Sequence, residues 1–547
     1  MMSRDRIRWQ DHALGFALAA GYVVLLLMTA KSIGYARDEG FYFGAAESYA
    51  RWFEVLWAKP SEAMKQAVID RSWSVNHEHP GLVKSAFALS WTLLYKKWHL
   101  FHTEGTSFRF PGMVASGSVL WILYIWGTRA RSRIAGLVAA CAFAFMPRVF
   151  YHAHLACFDL PIVAAWLGCA YAYWRSLSGG GFRWALATAV MFGLALDTKH
   201  NSWFLPIAFV GHAMLSVLLL RLAGVGKGSV RLPWALPLMA VFGPLVFFAL
   251  WPWIWHDTFA RLQEYVRFHT GHEYYNMEFL GTTYWKAPMP RGYAWLMTVA
   301  TVPAITLLCA IIGLSHRIFD RLRFVRLPSD RAGTALLWAI GIGVNYAAWL
   351  SPGTPIFGGT KHWMTAYPFL ALFAGVGVDW AIRRAKESQL PLLSWRGIGP
   401  AAIGAACLAA PVAETIHSTP WGLSNYTPLV GGASGAATLG LNRGFWGFTT
   451  GAVLPWLNQN APRNAEIHLH DTAMQAWQMY ARDKSIRPDL RVSWSPADGT
   501  IGLYHYEPHM AGVEYQYWIA YGTTAPAFVP LYDGVPVIWL YARPAGP

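Results

Sequence analysis

Apolar runs of about 18 to 22 residues, separated by short loops, recur along most of this chain, and that is the length at which an α-helix crosses the hydrocarbon core of a bilayer. Inside lipid every backbone N–H and C=O must be satisfied within the segment, so such runs can only be helices. The composition agrees, since only 13% of the 547 residues are charged and 55% are hydrophobic. A soluble domain carries about 25% charged residues. The sequence therefore reads as an α-helical polytopic membrane protein.

The net charge is +15, from 44 basic and 29 acidic residues. In a soluble chain such an excess would suggest nucleic acid. Here it gathers in loops such as GTRARSR, RSLSGGGFR, RLAGVGKGSVR, SHRIFDRLRFVRLPSDR and IRRAKESQLPLLSWR. Basic residues on one side of successive spans set topology and carry no message about partners, so no nucleic-acid partner is expected. Five cysteines, Cys141, Cys157, Cys169, Cys309 and Cys407, fall in or near apolar runs without paired spacing. They read as small buried residues and not as a disulfide or zinc framework.

The basic start MMSRDRIRWQ precedes an apolar run too long for a signal peptide, so it reads as a retained first helix with a cytoplasmic N-terminus. Spans follow at about 109–127, 134–150, 160–175, 184–198, 202–221, 232–250, 293–314, 332–350, 363–382 and 397–415, giving about eleven in all. The stretch PGLVKSAFALSWTLLY returns to the side it left and reads as an interfacial or re-entrant helix. Two units result: a transmembrane unit, residues 1–415, with large outer loops at 31–108 and 251–292, and a small extracytoplasmic α/β domain at 416–547. In the tail AEIHLH, VEYQYWIAY and VPVIWLYA alternate as strands do. DTAMQAWQMYARD has helical spacing with Asp471 as its N-cap. The localisation expected is a bacterial-type inner (plasma) membrane.

The unusual polar residues all fall in outer turns. RDEG places Asp38 and Glu39 directly after the first span, and NHEHP brings His77, Glu78 and His79. FYHAHLACFDLP supplies Asp159, LDTKHN supplies Lys199, His200 and Asn201, RFHTGHEYY supplies His269 and His272, and GGTKHW supplies Lys361 and His362. A single histidine or lysine there is an interfacial anchor by default. Recurrence on one face in separate turns points to a shared site. A carboxylate can take the proton of a hydroxyl nucleophile, and lysines can stabilise a phosphate leaving group. Arg109, in FRFPG, is read either as a phosphate contact or as an interfacial anchor. His77, Glu78, His269, His272 and His362 could hold a divalent metal ion if their loops converge, the alternative being ordinary loop histidines.

Taken in order, RDEGFYFGAAESYA, NHEHPG, FDLP and TKHN resemble the membrane glycosyltransferases of the C-type fold, in particular the protein O-mannosyltransferases and the lipid A aminoarabinose transferases. The resemblance covers roughly residues 10–385. It implies inverting transfer of a sugar, hexosyl or pentosyl, from a polyprenyl-phosphate donor to a hydroxyl acceptor, either a protein Ser/Thr or a glycolipid. It further implies Asp38 as general base and Asp159 organising the acceptor side or the first loop, while Glu39 reads as a structural or acceptor-orienting neighbour. It implies that Lys199 contacts the donor phosphate and that Glu78 is a metal ligand, as in the aminoarabinose branch; His200, Asn201, His79, Lys361 and Arg109 are the further phosphate candidates by position. His79 stands where the aminoarabinose branch has lysine, and Gly40-Phe41 replaces an arginine. A polytopic transporter or flippase for a lipid-linked or small anionic substrate is the competing class. Such proteins carry polar residues near mid-membrane in paired repeats, and no such repeat is seen here.

Overall fold

The computed structural model describes residues 7–222, 233–323, 333–387 and 398–543. The parts of the basic loops at 223–232, 324–332 and 388–397 lie outside the described residues. Helices occupy all eleven expected spans: α1 (Trp9–Thr29), then, after α2 (Arg37–Ala58) and α3 (Leu82–Leu89), α4 (Glu104–Ala130), α5 (Arg133–Ala144), α6 (Pro147–His154), α7 (Asp159–Arg175), α8 (Gly181–Leu196), α9 (Phe204–Leu222) and α10 (Ala235–Leu250). Beyond α11 (Thr258–Thr270) come α12 (Tyr293–Thr301), α13 (Ala304–Arg323), α14 (Thr334–Ala347), α15 (Tyr367–Glu387) and α16 (Ile398–Ser418). Six helical runs among the described residues are long and apolar enough to cross a membrane, or up to eight if each bent pair counts as one span. Two further apolar helices, Ala235–Leu250 and Thr334–Leu350, are shorter.

The bends have identifiable causes. α5 and α6 meet at 69°, and α12 and α13 at 115°. In each pair a proline (Pro147, Pro303) forces the residue before it out of helical conformation, and Met146 and Val302 are both extended. The 38-residue run Asp159–Leu196 is two helices folded against each other. Gly179 and Gly181 take φ of 94° and 67° between them. Asp159 at one end then meets Lys199 beyond the other at 2.7 Å, whereas a straight helix of that length would separate them by about 57 Å. The hairpin thus carries both charges to one face.

The C-terminal region ends in a four-stranded mixed sheet. After the hairpin β1 (Met277–Phe279) and β2 (Thr282–Tyr284) come β3 (Glu466–Leu469), β4 (Arg491–Ser493), β5 (Ile501–Tyr504), the hairpin β6 (Leu531–Tyr532) and β7 (Val535–Pro536), and β8 (Trp539–Ala542). The sheet order is β4-β3-β5-β8, with β3 parallel to both neighbours and β8 antiparallel to β5. Two expectations are corrected. VEYQYWIAY is not a strand but most of helix α18 (Ala511–Tyr521), which follows α17 (Met474–Arg482) and buries Tyr517 and Tyr521, four residues apart on one face. Helix α17 is N-capped at Ala473, not at Asp471, which has a left-handed φ of 54°.

This region shares its hydrophobic core with the first loop. Tyr35, Phe43, Trp73 and Phe87 pack in one cluster with Phe448, Ile467, Trp477, Tyr480 and Leu503. Asp483 accepts from the backbone N–H groups of Glu104 and Gly105 at 2.8 and 3.2 Å, so the C-terminal region caps α4. Glu507 fixes the segment that reaches back over the first loop, accepting from the N–H groups of Arg443 and Gly444 at 2.8 and 3.0 Å.

Burial, reinforced by the nearby Glu278 carboxylate, raises the pKa of Glu507 from an ordinary 4.5 to about 8 against those two hydrogen bonds. The folded state therefore holds a proton that the unfolded chain releases. The stability contributed is complete below the unfolded value of 4.5 and is lost as pH rises through about 8. Melting in detergent should decline across this window by at most about 1.4 kcal/mol per pH unit from this group, and Glu507→Gln should flatten that slope. An unchanged slope in the variant would mean that Glu507 is not the titrating group.

Candidate functional site

The first span ends and α2 begins within a few residues, and a single ion pair fixes how. Glu39 is fully buried and Arg109 is 2% exposed. The guanidinium grips the carboxylate in a fork, with Nε to Oε1 and Nη2 to Oε2 both at 2.8 Å. Arg109 also donates to the carbonyls of Ala30, Ile33 and Gly34 at 3.2, 2.9 and 2.9 Å. An arginine has five N–H donors, and all five are used. Glu39 in turn accepts from the N–H groups of Ala36 and Ala156, each at 2.9 Å. One carboxylate thereby joins the end of the first span, the start of α2, α4 and the turn leading to Asp159.

These contacts revise two expectations. Arg109 has no donor left for a phosphate, and Glu39 has no face open to a substrate. Both are structural. Their neighbour Asp38 points elsewhere: its side chain is 23% exposed, and Oδ2 lies 3.0 Å from Lys361 Nζ. Asp38 sits in the first turn of α2, where the helix dipole favours an anion.

Lys361 lies in a short turn that follows Gly358 and Gly359, at φ of 70° and 64°. A Cβ on Gly358 would stand 2.3 Å from the Trp446 ring, so this turn requires glycine. The turn lifts the Lys361 ammonium to 4.1 Å from the Trp446 ring centroid. Burial opposes charge on Lys361, but the Asp38 and Asp159 carboxylates outweigh it and hold the ammonium above its ordinary pKa.

A second ion pair joins Asp159 Oδ1 to Lys199 Nζ at 2.7 Å, with His152 Nδ1 3.2 Å from Oδ2. Asn201 donates to the His362 carbonyl at 3.0 Å and ties the two turns together. The His200 ring packs on His269 at 4.3 Å between centroids, and His79 lies 5.5 Å from His269 and 5.2 Å from Phe158. Burial, together with neighbouring cations, pushes the His79 pKa well below its ordinary value, so that imidazole is neutral.

The five residues read as metal ligands do not fit one coordination sphere. His77 bonds to Glu264 at 2.9 Å and to the Ser74 carbonyl at 2.8 Å, while Glu78 accepts from Asn76 at 2.6 Å. His269 donates to the Glu78 carbonyl at 3.0 Å, and His272 stacks on Phe357. His362 Nε2 is held by the Phe357 carbonyl. Among the described residues no group of three His, Cys, Asp or Glu is arranged to hold a metal ion.

Sequence reasoning missed the contribution of the C-terminal region. Trp446 covers Lys361, and Asp471 pairs with Arg37 at 3.0 Å directly beside Asp38. Nothing in a lone Trp or Asp four hundred residues downstream signals this. Lys84 was also missed. It is fully buried, donates to the carbonyls of Asn76 and His79, and burial lowers its pKa to about 7.

Residues 86–253 match the family described as dolichyl-phosphate-mannose-protein mannosyltransferase. That stretch is less than a third of the chain and contains Arg109, Asp159 and Lys199. The resemblance to membrane glycosyltransferases read from the motifs is borne out. No curated protein matches. Among solved structures, the chain is similar to ArnT from Cupriavidus metallidurans bound to undecaprenyl phosphate, at 14% identity and TM-score 0.45, covering 97% of this chain and 99% of that one. It is also similar to the apo oligosaccharyltransferase of Archaeoglobus fulgidus, at 9% identity and TM-score 0.46, covering 88% and 64%.

Removing one partner of a buried, fully bonded pair leaves the other charge uncompensated and costs about 3–5 kcal/mol. Glu39→Gln should therefore lower the melting temperature sharply in detergent. A variant as stable as the parent would mean that the pair does not organise the site.

Proposed function

We propose that this protein is an inverting glycosyltransferase that moves a hexosyl or pentosyl group from a polyprenyl-phosphate donor to a hydroxyl acceptor on a protein Ser/Thr or a glycolipid. The observation that carries this reading is Asp38, a partly exposed carboxylate held at 3.0 Å by a buried lysine, one residue from an immovable clamp. Asp159 and Glu39 are both buried, so Asp38 is the carboxylate a hydroxyl can reach. The match to the mannosyltransferase family supports the donor class.

In this mechanism the acceptor oxygen attacks the anomeric carbon as Asp38 removes its proton. The bond from that carbon to the phosphate oxygen breaks, and the lipid phosphate leaves with the electron pair. Protonation of Asp38 cancels the partner charge of Lys361, which leaves that ammonium free to face the developing phosphate charge. Lys199, held by Asp159, with His200, Asn201 and His79 around it, completes the polar wall. The family resemblance also gives Asp159 the organisation of the acceptor side or the first loop.

The same reading puts the site and the C-terminal region on the extracytoplasmic side of a bacterial-type inner membrane, with the N-terminus cytoplasmic. Arg131 and Arg133 support it: they cluster at the opposite end of α4 with Asp379 and Asp11.

Right-side-out membrane vesicles loaded with polyprenyl-phosphate sugars test function and side together. The parent protein should glycosylate an acceptor added outside, and Asp38→Asn should do so on the order of a hundredfold more slowly. Transfer at the parental rate by Asp38→Asn would remove Asp38 from the base role, and transfer only to acceptor inside would reverse the topology.

A further inference from the structure

Two arginines lie buried near this centre, and their surroundings differ. Arg109 spends every donor, five hydrogen bonds in all, and is neutralised by Glu39. Arg148, on α6, is 1% exposed. Among the described residues no carboxylate stands within ion-pair distance of it. Its Nη2 reaches the Asn425 carbonyl only at 3.5 Å, and its buried Nε has no hydrogen-bond partner among the described residues. The rings of Tyr426 and Phe445 flank the guanidinium at 4.9 and 5.5 Å, and the Tyr426 hydroxyl is close to it. Neither ring nor hydroxyl carries a charge to offset it.

The other charges at the centre cancel in pairs: Asp38 with Lys361, Asp159 with Lys199, Glu39 with Arg109 and Arg37 with Asp471. Arg148 is left over. A buried, uncompensated guanidinium is costly, and proteins keep such groups where an anion completes them. A Cβ on Gly359 would stand 3.3 Å from its Nη1 and 3.2 Å from the Phe445 ring, so the turn lies directly against the head group and a larger residue would crowd it. Gly359 is two residues from Lys361. The neighbouring buried polar atoms Thr360 Oγ1, Asn425 Nδ2 and Tyr293 OH also lack hydrogen-bond partners. All three can donate, as a multi-oxygen anion requires.

We infer that Arg148 is the oxyanion-binding residue of this centre: its guanidinium takes a phosphate-class anion between Tyr426, Phe445 and the Gly359–Thr360 turn, beside Lys361. A forked guanidinium suits two oxygens of such a group at once. This deepens the glycosyltransferase reading, in which the anion is the phosphate of the donor lipid. The site would equally accept a free phosphate of the same chemistry.

Thermal melting of the purified full-length protein separates these sources. Undecaprenyl phosphate should raise the melting temperature of the parent, and undecaprenol should not. Arg148→Gln should weaken the apparent affinity by about tenfold or more, as loss of a charged hydrogen-bond partner does. Arg148→Lys, which keeps the charge and loses the fork, should fall between them and serves alone if Arg148→Gln does not fold. Equal stabilisation by inorganic phosphate, with the same dependence on Arg148, assigns the site to a free oxyanion.

Without ligand, Arg148→Gln should melt at or above the parent, because it removes an uncompensated charge. Parental affinity in both variants, no stabilisation of the parent by either phosphate, or a ligand-free Arg148→Gln far less stable than Arg148→Lys would overturn the inference. If Arg148-dependent binding persists while no sugar donor supports transfer, the glycosyltransferase reading falls and the oxyanion site stands.

Discussion

The bonded pair of Glu39 and Arg109 is the interaction on which the rest of this centre depends. Each is buried, each has its hydrogen-bonding capacity filled, and together they tie four separate segments to one point. A loop leaving a membrane would otherwise be free to move, and a base on it would be poorly placed. Positioning of reacting groups is a large part of catalysis, and small misplacements are costly. The pair therefore gives α2 a fixed origin, and Asp38, one residue away, inherits that rigidity without being buried itself. In the proposed mechanism, adjacent acids in the RDEG motif thus divide the work between holding and reacting.

Around that origin, charge is arranged in opposed pairs drawn from distant turns. The α7–α8 hairpin brings Lys199 to Asp159, and the Gly358–Gly359 turn brings Lys361 to Asp38. Pairing lets charged side chains persist in a poorly hydrated setting, where a lone ion would be expelled or neutralised. It also makes the cluster responsive, because neutralising one member releases its partner. The C-terminal region takes part directly. Trp446 covers Lys361, Asp471 holds Arg37, and Asp483 caps the helix that carries Arg109.

Much of this was legible in the sequence, and the limits follow from physics. Each span-length apolar run falls on a helix, since hydrocarbon leaves the backbone no other solution, and among the described residues six, or up to eight counting bent pairs, are long and apolar enough to cross a membrane. The motifs around Asp38, Asp159, Lys199 and Lys361 predicted a shared face, and the structure pairs Asp38 with Lys361 and Asp159 with Lys199. The family resemblance named Asp38 as the base, but that Glu39 is sealed was not legible in the motif, because the two acids differ only in what packs against them. Arg109 read as a possible phosphate contact since its five partners lie on segments that sequence spacing does not connect. Aromatic alternation in VEYQYWIAY imitated a strand and hid the four-residue spacing of Tyr517 and Tyr521 that makes it helical. Arg148, a single arginine after a proline, gave no signal. Its meaning lies in the lack of a carboxylate partner among the described residues, which only three dimensions reveal.

The central claim is a single displacement at the anomeric carbon with one reachable base. The most direct measurement is the anomeric configuration of the product, read by nuclear magnetic resonance after incubating the purified protein with polyprenyl-phosphate sugars of defined configuration and a hydroxyl acceptor. Inversion relative to the donor is the predicted result. Retention would require a second nucleophile within reach of the sugar and would contradict the account built on Asp38.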